Sequence, residues 1–289
     1  MRLHLLDGTY ELFRSYFGAP PRKALGGVEI GATHGVMAST LNLLQQEGVT
    51  HLGAAFDSVV RSYRNDLYPG YKTEGGVPEE LLAQFPLIEE GMEALGVTVW
   101  RMIDYEADDA LATAAARFAS EAEQVVILSP DKDLAQCVIG THVVGFDRRK
   151  GAFIDEQGVW DKFGVGPESI PDYLALVGDS ADGFPGLPGW GAKSSSMILA
   201  EYPHIEDIPL EADLWVPPVR GKGRLAASLR DGIGMALLFR FLARLRRDVP
   251  MTEEVSDLEW HGVPRDRFTA LCDRWGFGSL RERPTKWAD

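Results

Sequence analysis

Between Asp104 and Asp109 the chain reads DYEADD, four carboxylates in six positions, and then turns abruptly into the alanine-rich run ALATAAARF. Similar acids punctuate the chain elsewhere: Asp7 after LHLL, Asp57 after THLGAAF, Asp131 and Asp133 after QVVILS, and Asp179 and Asp182 within VGDSADG. Taken alone, EADD is equally consistent with capping, because acids in a first helical turn favour the helix dipole. The number of such acids shifts the balance. Converging carboxylates raise one another's pKa unless a cation sits among them. Neither His nor Cys accompanies Asp7, Asp57, Glu106, Asp108, Asp109, Asp131, Asp133, Asp179 and Asp182, and oxygen-only donors select a hard cation, Mg²⁺ or Mn²⁺. Carboxylates able to hold two such ions suit phosphodiester hydrolysis, in which metals clamp the attacking and leaving oxygens.

The elements that must hold these acids are legible as apolar runs. LHLL, THLGAAFD, VTVW, QVVILSPD and THVVGF read as short strands. HGVMASTLNLLQQEG, PEELLAQFPLIEEGMEALG and the alanine run read as helices, with Ala107, Ala110, Leu111, Ala114 and Phe118 at the spacing of a buried stripe. Alternating strands and helices predict an α/β domain with a largely parallel sheet. Ligand sites in such sheets form at the carboxyl ends of the strands, where Asp7, Asp57 and Asp131 fall. After about residue 165 the strands stop, and the chain becomes helical with Gly/Pro punctuation. The boundary is expected near Gly164 to Pro167, giving domains 1–165 and 166–289.

Two further stretches carry candidate chemistry. In DLYPGYKTEGG, Lys72 is a cation that could neutralise a scissile phosphate, and Tyr71 a ring that could stack on an unpaired base; a surface turn is the plainer alternative. GLPGWGAKSSS is a Gly-rich hairpin opening a helix. There Gly186, Gly189 and Gly191 would let backbone N–H groups approach a phosphate, beside Lys193 and Ser194, with an ordinary helix-turn-helix corner as the alternative.

Composition bounds the rest. The chain has 289 residues, 45% of them hydrophobic, and a net charge of -14, which at first sight disfavours a nucleic-acid partner. The charge is uneven: Arg220, Lys222, Arg224, Arg230, Arg240, Arg244, Arg246 and Arg247 cluster against only Asp231 and Asp248. If many acids hold cations, net charge misstates the surface a ligand meets. Two distant cysteines, Cys137 and Cys272, suggest neither a disulfide framework nor a zinc site. With no apolar run of membrane-spanning length and no signal-peptide core, a reduced, soluble, cytoplasmic protein is expected.

Taken together, LLDGT, FD, YR…YPGYK, YEADDAL, DKDLAQ, the string KFGV through GLPGWGAK, and DVP resemble the 5′ nuclease of bacterial DNA polymerase I and its stand-alone flap-endonuclease relatives in the PIN-like superfamily. The motifs span Asp7 to about Pro250. The resemblance implies a PIN-like, mostly parallel sheet flanked by helices, followed by a helical domain with a helix-hairpin-helix-like (H2TH) element. It implies a structure-dependent 5′ flap endonuclease or 5′-3′ exonuclease acting on DNA with 5′ single-stranded or branched ends, expected as a free-standing monomer without membrane association or organic cofactor. By motif, the nine acids become metal ligands, and Lys72 with Asp7, Asp57 and Asp108 becomes catalytic. Arg64, Tyr71, Lys72, Gly189, Gly191, Lys193, Ser194, Lys222 and Arg224 become DNA contacts, with K⁺ at the hairpin. Two departures stand out. The arginine expected after the Tyr-Lys pair is replaced by Thr73, Glu74, Gly75 and Gly76, implying a short arch, and Pro130 stiffens the turn before Asp131. A haloacid-dehalogenase-like phosphatase also carries DGT, but Leu5 stands where its nucleophilic aspartate would be. A DNA-structure-binding protein without catalysis is the other alternative, and clustered acids without metal would be costly for it.

Overall fold

The computed structural model describes residues 1–46, 48–72 and 75–288. They form two compact units, neither continuous in sequence: Met1–Ser62 with Glu74–Ser129 and Arg247–Asp289, and Tyr63–Thr73 with Pro130–Arg246. Packing thus does not follow a single cut along the chain. Residues 130–165 pack with the helices that follow them, and residues 247–289 return to the first unit.

The first unit is built on four parallel strands in the order β3-β2-β1-β4: β1 (Arg2–Asp7), β2 (His51–Asp57), β3 (Thr98–Met102) and β4 (Gln124–Leu128). In β1, His4 and its neighbours Leu3, Leu5 and Leu6 are all buried. Burial on both faces is the rule for parallel sheets, and it is why these strands read as unbroken apolar runs rather than alternating ones. Asp7 ends β1 and caps the helix Gly8–Gly18, accepting from Tyr10 N at 2.8 Å. The next position must be glycine because a Cβ on Gly8 would lie 2.3 Å from the Phe56 ring.

The stretch PEELLAQFPLIEEGMEALG is not one helix. A single turn, Glu79–Leu82, precedes the helix Phe85–Ala94, which starts with Pro86 in its first turn. Between them Gln84 is wholly buried, and its Oε1 accepts from Thr33 N (3.0 Å) and Thr33 Oγ1 (3.2 Å). The alanine helix, Ala107–Phe118, buries the expected stripe of Ala107, Ala110, Leu111, Ala114 and Phe118. The C-terminal residues close the unit through Trp260 Nε1, which donates to Leu95 O at 2.9 Å, and through the Arg274–Glu90 ion pair at 2.5 Å.

The second unit combines an antiparallel hairpin, β5 (Val143–Asp147) and β6 (Ala152–Ile154), with the helices Glu156–Phe163, Ile170–Val177, Ala192–Leu199 and Lys222–Ala243. Its core includes Tyr71, Leu174, Phe184, Ile198, Leu229 and Phe239. Asp172, fully buried, ties three segments together: it accepts from Ile205 N (3.0 Å) and from Arg240 Nη1 (3.1 Å), and contacts His204 Nδ1 (3.2 Å). Arg240 also pairs with Glu206. Among the described residues, no helix is long and apolar enough to cross a membrane.

Candidate metal centre

The nine acids divide between the units. In the first, Asp7 and Asp57 stand at the carboxyl ends of adjacent parallel strands, β1 and β2. Asp7 is buried, and its second oxygen accepts from Ser129 Oγ at 2.7 Å, at the end of β4. Asp57 accepts from Ala107 N at 2.7 Å, while its own N–H donates to Thr9 Oγ1 at 2.8 Å. That contact sets the start of the alanine helix against the end of β2. Glu106 caps this helix in a reciprocal capping box: its side chain accepts from the N–H of Asp109, and Asp109 Oδ2 accepts from Glu106 N at 3.1 Å. Ser62 Oγ donates to Glu106 Oε1 at 2.7 Å. Glu106 and Asp109 are buried, Asp108 is half-buried, and Asp104 is exposed. The capping and site readings of EADD are therefore not alternatives, since the helix start fixes the orientation of its own acids.

In the second unit, Asp133, Asp179 and Asp182 bring one carboxylate oxygen each within 4.8 Å of one another, and all three are buried. Among the described residues, Asp133 Oδ1 has no hydrogen-bond partner. Burial pushes its pKa well up, and the neighbouring carboxylates of Asp182, Asp131 and Asp179 push it further, opposed by Lys72. Asp179 caps its own turn, accepting from Ala181 N at 2.9 Å, and pairs with Lys132 Nζ at 2.7 Å. Asp131 is exposed and accepts from Asp133 N at 3.2 Å, shaping the turn that aims Asp133 inward.

Lys72 is held against this triad. Its N–H donates to Asp182 O at 3.0 Å, its ammonium lies 3.4 Å from Asp182 Oδ1, and Asn65 Nδ2 donates to Lys72 O at 2.8 Å. The approach requires glycine at 183, where φ is +84° and a Cβ would sit 2.2 Å from Gly70 O.

Two expected DNA contacts are placed elsewhere. Tyr71 is 2% exposed and belongs to the core of its unit, so it offers no face for a base. Arg64 is 0% exposed: its Nε donates to Leu242 O (2.8 Å) and Nη2 to Arg244 O (3.1 Å), at the end of the long helix, and its guanidinium lies 4.8 Å from the Tyr63 ring centroid. Arg64 is a structural clamp on carbonyls that the helix cannot satisfy itself. The arch expectation rests partly on Thr73 and Glu74, which lie outside the described residues. Lys193 and Arg224 are exposed, and Lys222 is half-buried beside Asp213 at 3.7 Å. Gly189 lies close to Arg224, and Gly191 starts the helix Ala192–Leu199, donating to Ser194 Oγ at 3.1 Å. Sequence reasoning passed over Ser129, Ser62 and Lys132. Of these only Lys132, set between two acids, carried a visible signal.

A fully buried oxygen without a partner, surrounded by carboxylates, suits a hard divalent cation, and the all-oxygen donor set agrees. A model of the 5′-3′ exonuclease N-terminal, resolvase-like domain matches residues 2–164, and one of the C-terminal SAM fold matches residues 165–266. The 5′-3′ exonuclease of Aquifex aeolicus is 35% identical over 207 residues, 71% of either chain. DNA polymerase I of Mycobacterium leprae is 33% identical across 97% of this chain, which spans 31% of that polymerase. Among solved structures, a T5 5′-exonuclease with bound divalent metal ions (zinc) shares the fold at a TM-score of 0.68 and 19% identity, over 84% of this chain and 89% of that one. The Rad2 catalytic core in complex with a DNA substrate shares it at 0.61 and 14%, over 94% and 86%. Fold and acids together define the resolvase-like α/β class, a mostly parallel sheet flanked by helices with a helical SAM-fold portion. Within that class, the chain belongs to the 5′-3′ exonuclease family.

Proposed function

We propose that the chain is a structure-dependent 5′ nuclease that hydrolyses phosphodiester bonds of DNA, acting at 5′ flaps or 5′ ends with Mg²⁺ or Mn²⁺. The observation that carries this reading is the buried triad of Asp133, Asp179 and Asp182 with its unpaired oxygen. In the first unit, Asp7 and Asp57 end adjacent strands, and Glu106, Asp108 and Asp109 open the helix that follows; these five are proposed as the ligands of a second cation. Bound metal would supply a nucleophilic hydroxide near neutral pH and neutralise charge on the transferring phosphoryl group. The chain's own residues do the positioning. Ser129 and Tyr10 N orient Asp7, Ala107 N orients Asp57, and the capping box orients Glu106 and Asp109. Lys72 brings a cation to the scissile phosphate from a backbone pinned by Asn65 and Asp182. Lys193, Ser194, Lys222, Arg224 and the N–H groups at Gly189 and Gly191 grip the duplex backbone, with K⁺ at the Gly-rich turn.

The reading is tested by resolving 5′-labelled products from a flap, a nick and a blunt duplex with Mg²⁺. Release of the flap as an oligonucleotide, or of short products from recessed 5′ ends, is the expected outcome. Cleavage only from 3′ ends, or none on any substrate, would contradict it.

A further inference from the structure

The triad of the second unit carries cations of its own. Lys132 sits between Asp131 and Asp133 in sequence, yet its ammonium turns to Asp179 Oδ2 at 2.7 Å. The pair is unequal: the Asp179 side chain is 2% exposed, while that of Lys132 is 35% exposed and can leave. Lys72 stands in the same relation to Asp182, at 3.4 Å. Among the described residues Asp133 has no such partner, and its Oδ1 is buried without a hydrogen bond. Among the described residues, two of the three buried carboxylates are thus each met by an ammonium group. A divalent ion held by the three would place two further positive charges close to the ammonium on Asp179. Like charges at that range in a poorly hydrated place repel strongly, so ion and ammonium compete for one carboxylate.

Resting on the reading of the triad as a metal site, we infer that Lys132 is an internal counter-cation. It neutralises Asp179 in the metal-free protein and leaves when a divalent ion binds. Lys132 lowers the affinity of the triad for metal and preserves the fold of the apoprotein. Metal loading then frees a lysine side chain at the rim of the set.

The test is amine footprinting of the full-length protein with an acylating ester, read by peptide mass spectrometry without and with saturating Mn²⁺, alongside calorimetry of Mn²⁺ binding. Acylation of Lys132 is expected to rise several-fold on Mn²⁺ addition. Asp179→Asn should give that faster rate with no metal present. Lys132→Met should tighten Mn²⁺ binding by roughly tenfold, one competing charge having been removed. Unchanged acylation of Lys132 in a protein whose calorimetry shows Mn²⁺ at the triad overturns this inference alone. An isotherm that Asp179→Asn and Asp182→Asn leave untouched overturns the metal reading of the triad, and the inference with it. Because the footprint is read on the wild-type chain, failure of Lys132→Met to fold leaves the test intact.

Discussion

Arg64 shows how a residue type can mislead when burial is unknown. An arginine beside a Tyr-Lys pair reads as a phosphate contact, yet this one is wholly enclosed and spends its donors on Leu242 O and Arg244 O. Charged hydrogen bonds of this kind contribute about 1.5–3 kcal/mol each, and their loss would strand buried carbonyls. Arg64→Ala is therefore expected to lower stability by roughly 3 kcal/mol or more, with Arg64→Lys recovering little because an ammonium lacks the planar fork. Urea unfolding measures this, and an unshifted midpoint would return Arg64 to the surface. Tyr71 follows the same logic, since its ring fills the core while its backbone carries Lys72 into place. Lys132 is the opposite case: its place between two acids was visible, but its partner, Asp179, lies far away in sequence. The acids themselves were readable because their position after strands and at helix starts is a local property. Their partners Ser129 and Ser62 were not, because each contact joins distant segments.

At the scale of elements, strand ends and helix starts do most of the positioning in the first unit. All five strands expected from apolar runs form, and in β1, β2 and β4 burial on both faces writes itself into composition. The helix expected across PEELLAQFPLIEEGMEALG breaks instead, because Pro86 lacks the N–H that would continue it and starts a new helix, while Gln84 at the break is held by Thr33 from another helix. The proline was a visible signal; the Gln84 contact is tertiary and leaves no trace in periodicity. Two elements also carry titratable groups that make the unit acid-sensitive. Burial depresses the pKa of His4 in β1 to about 4, with Arg2 lowering it and a hydrogen bond to the His51 backbone raising it. Burial depresses that of His34, in the helix Gly31–Leu44, to about 4 as well, with Arg22 and Arg283 adding to the effect. Both therefore stay neutral in the folded state where the unfolded chain takes up protons. Stability should be complete above about pH 6.5 and decline as pH falls toward 4, by on the order of a few kcal/mol for the two together. Denaturant midpoints between pH 7.5 and 4.5 report this. The double variant His4→Leu, His34→Phe should flatten the slope, and an undiminished slope would assign the acid sensitivity to carboxylates.

For the whole molecule, a net charge of -14 is a poor guide to the ligand. Part of the acidity is held out of solvent, since Asp133, Asp179 and Asp182 are buried together. The α/β class followed from alternating strand and helix patterns. What stayed hidden was the return of residues 247–289 to the first unit, because a chain's re-entry depends on long-range contacts such as Trp260 with Leu95 rather than on any local pattern. The central claim is that these carboxylates hold hard divalent ions which carry out hydrolysis. Single-turnover cleavage of a 5′-labelled flap duplex, in Mg²⁺ and in EDTA, by the wild type and by Asp179→Asn tests it most directly. The wild type should cleave with Mg²⁺ or Mn²⁺ and stop in EDTA. Asp179→Asn should be slower with Mg²⁺ by roughly two decades or more, the scale for removing one preorganised transition-state group. Full cleavage in EDTA, or an unaltered rate in Asp179→Asn, would contradict the account.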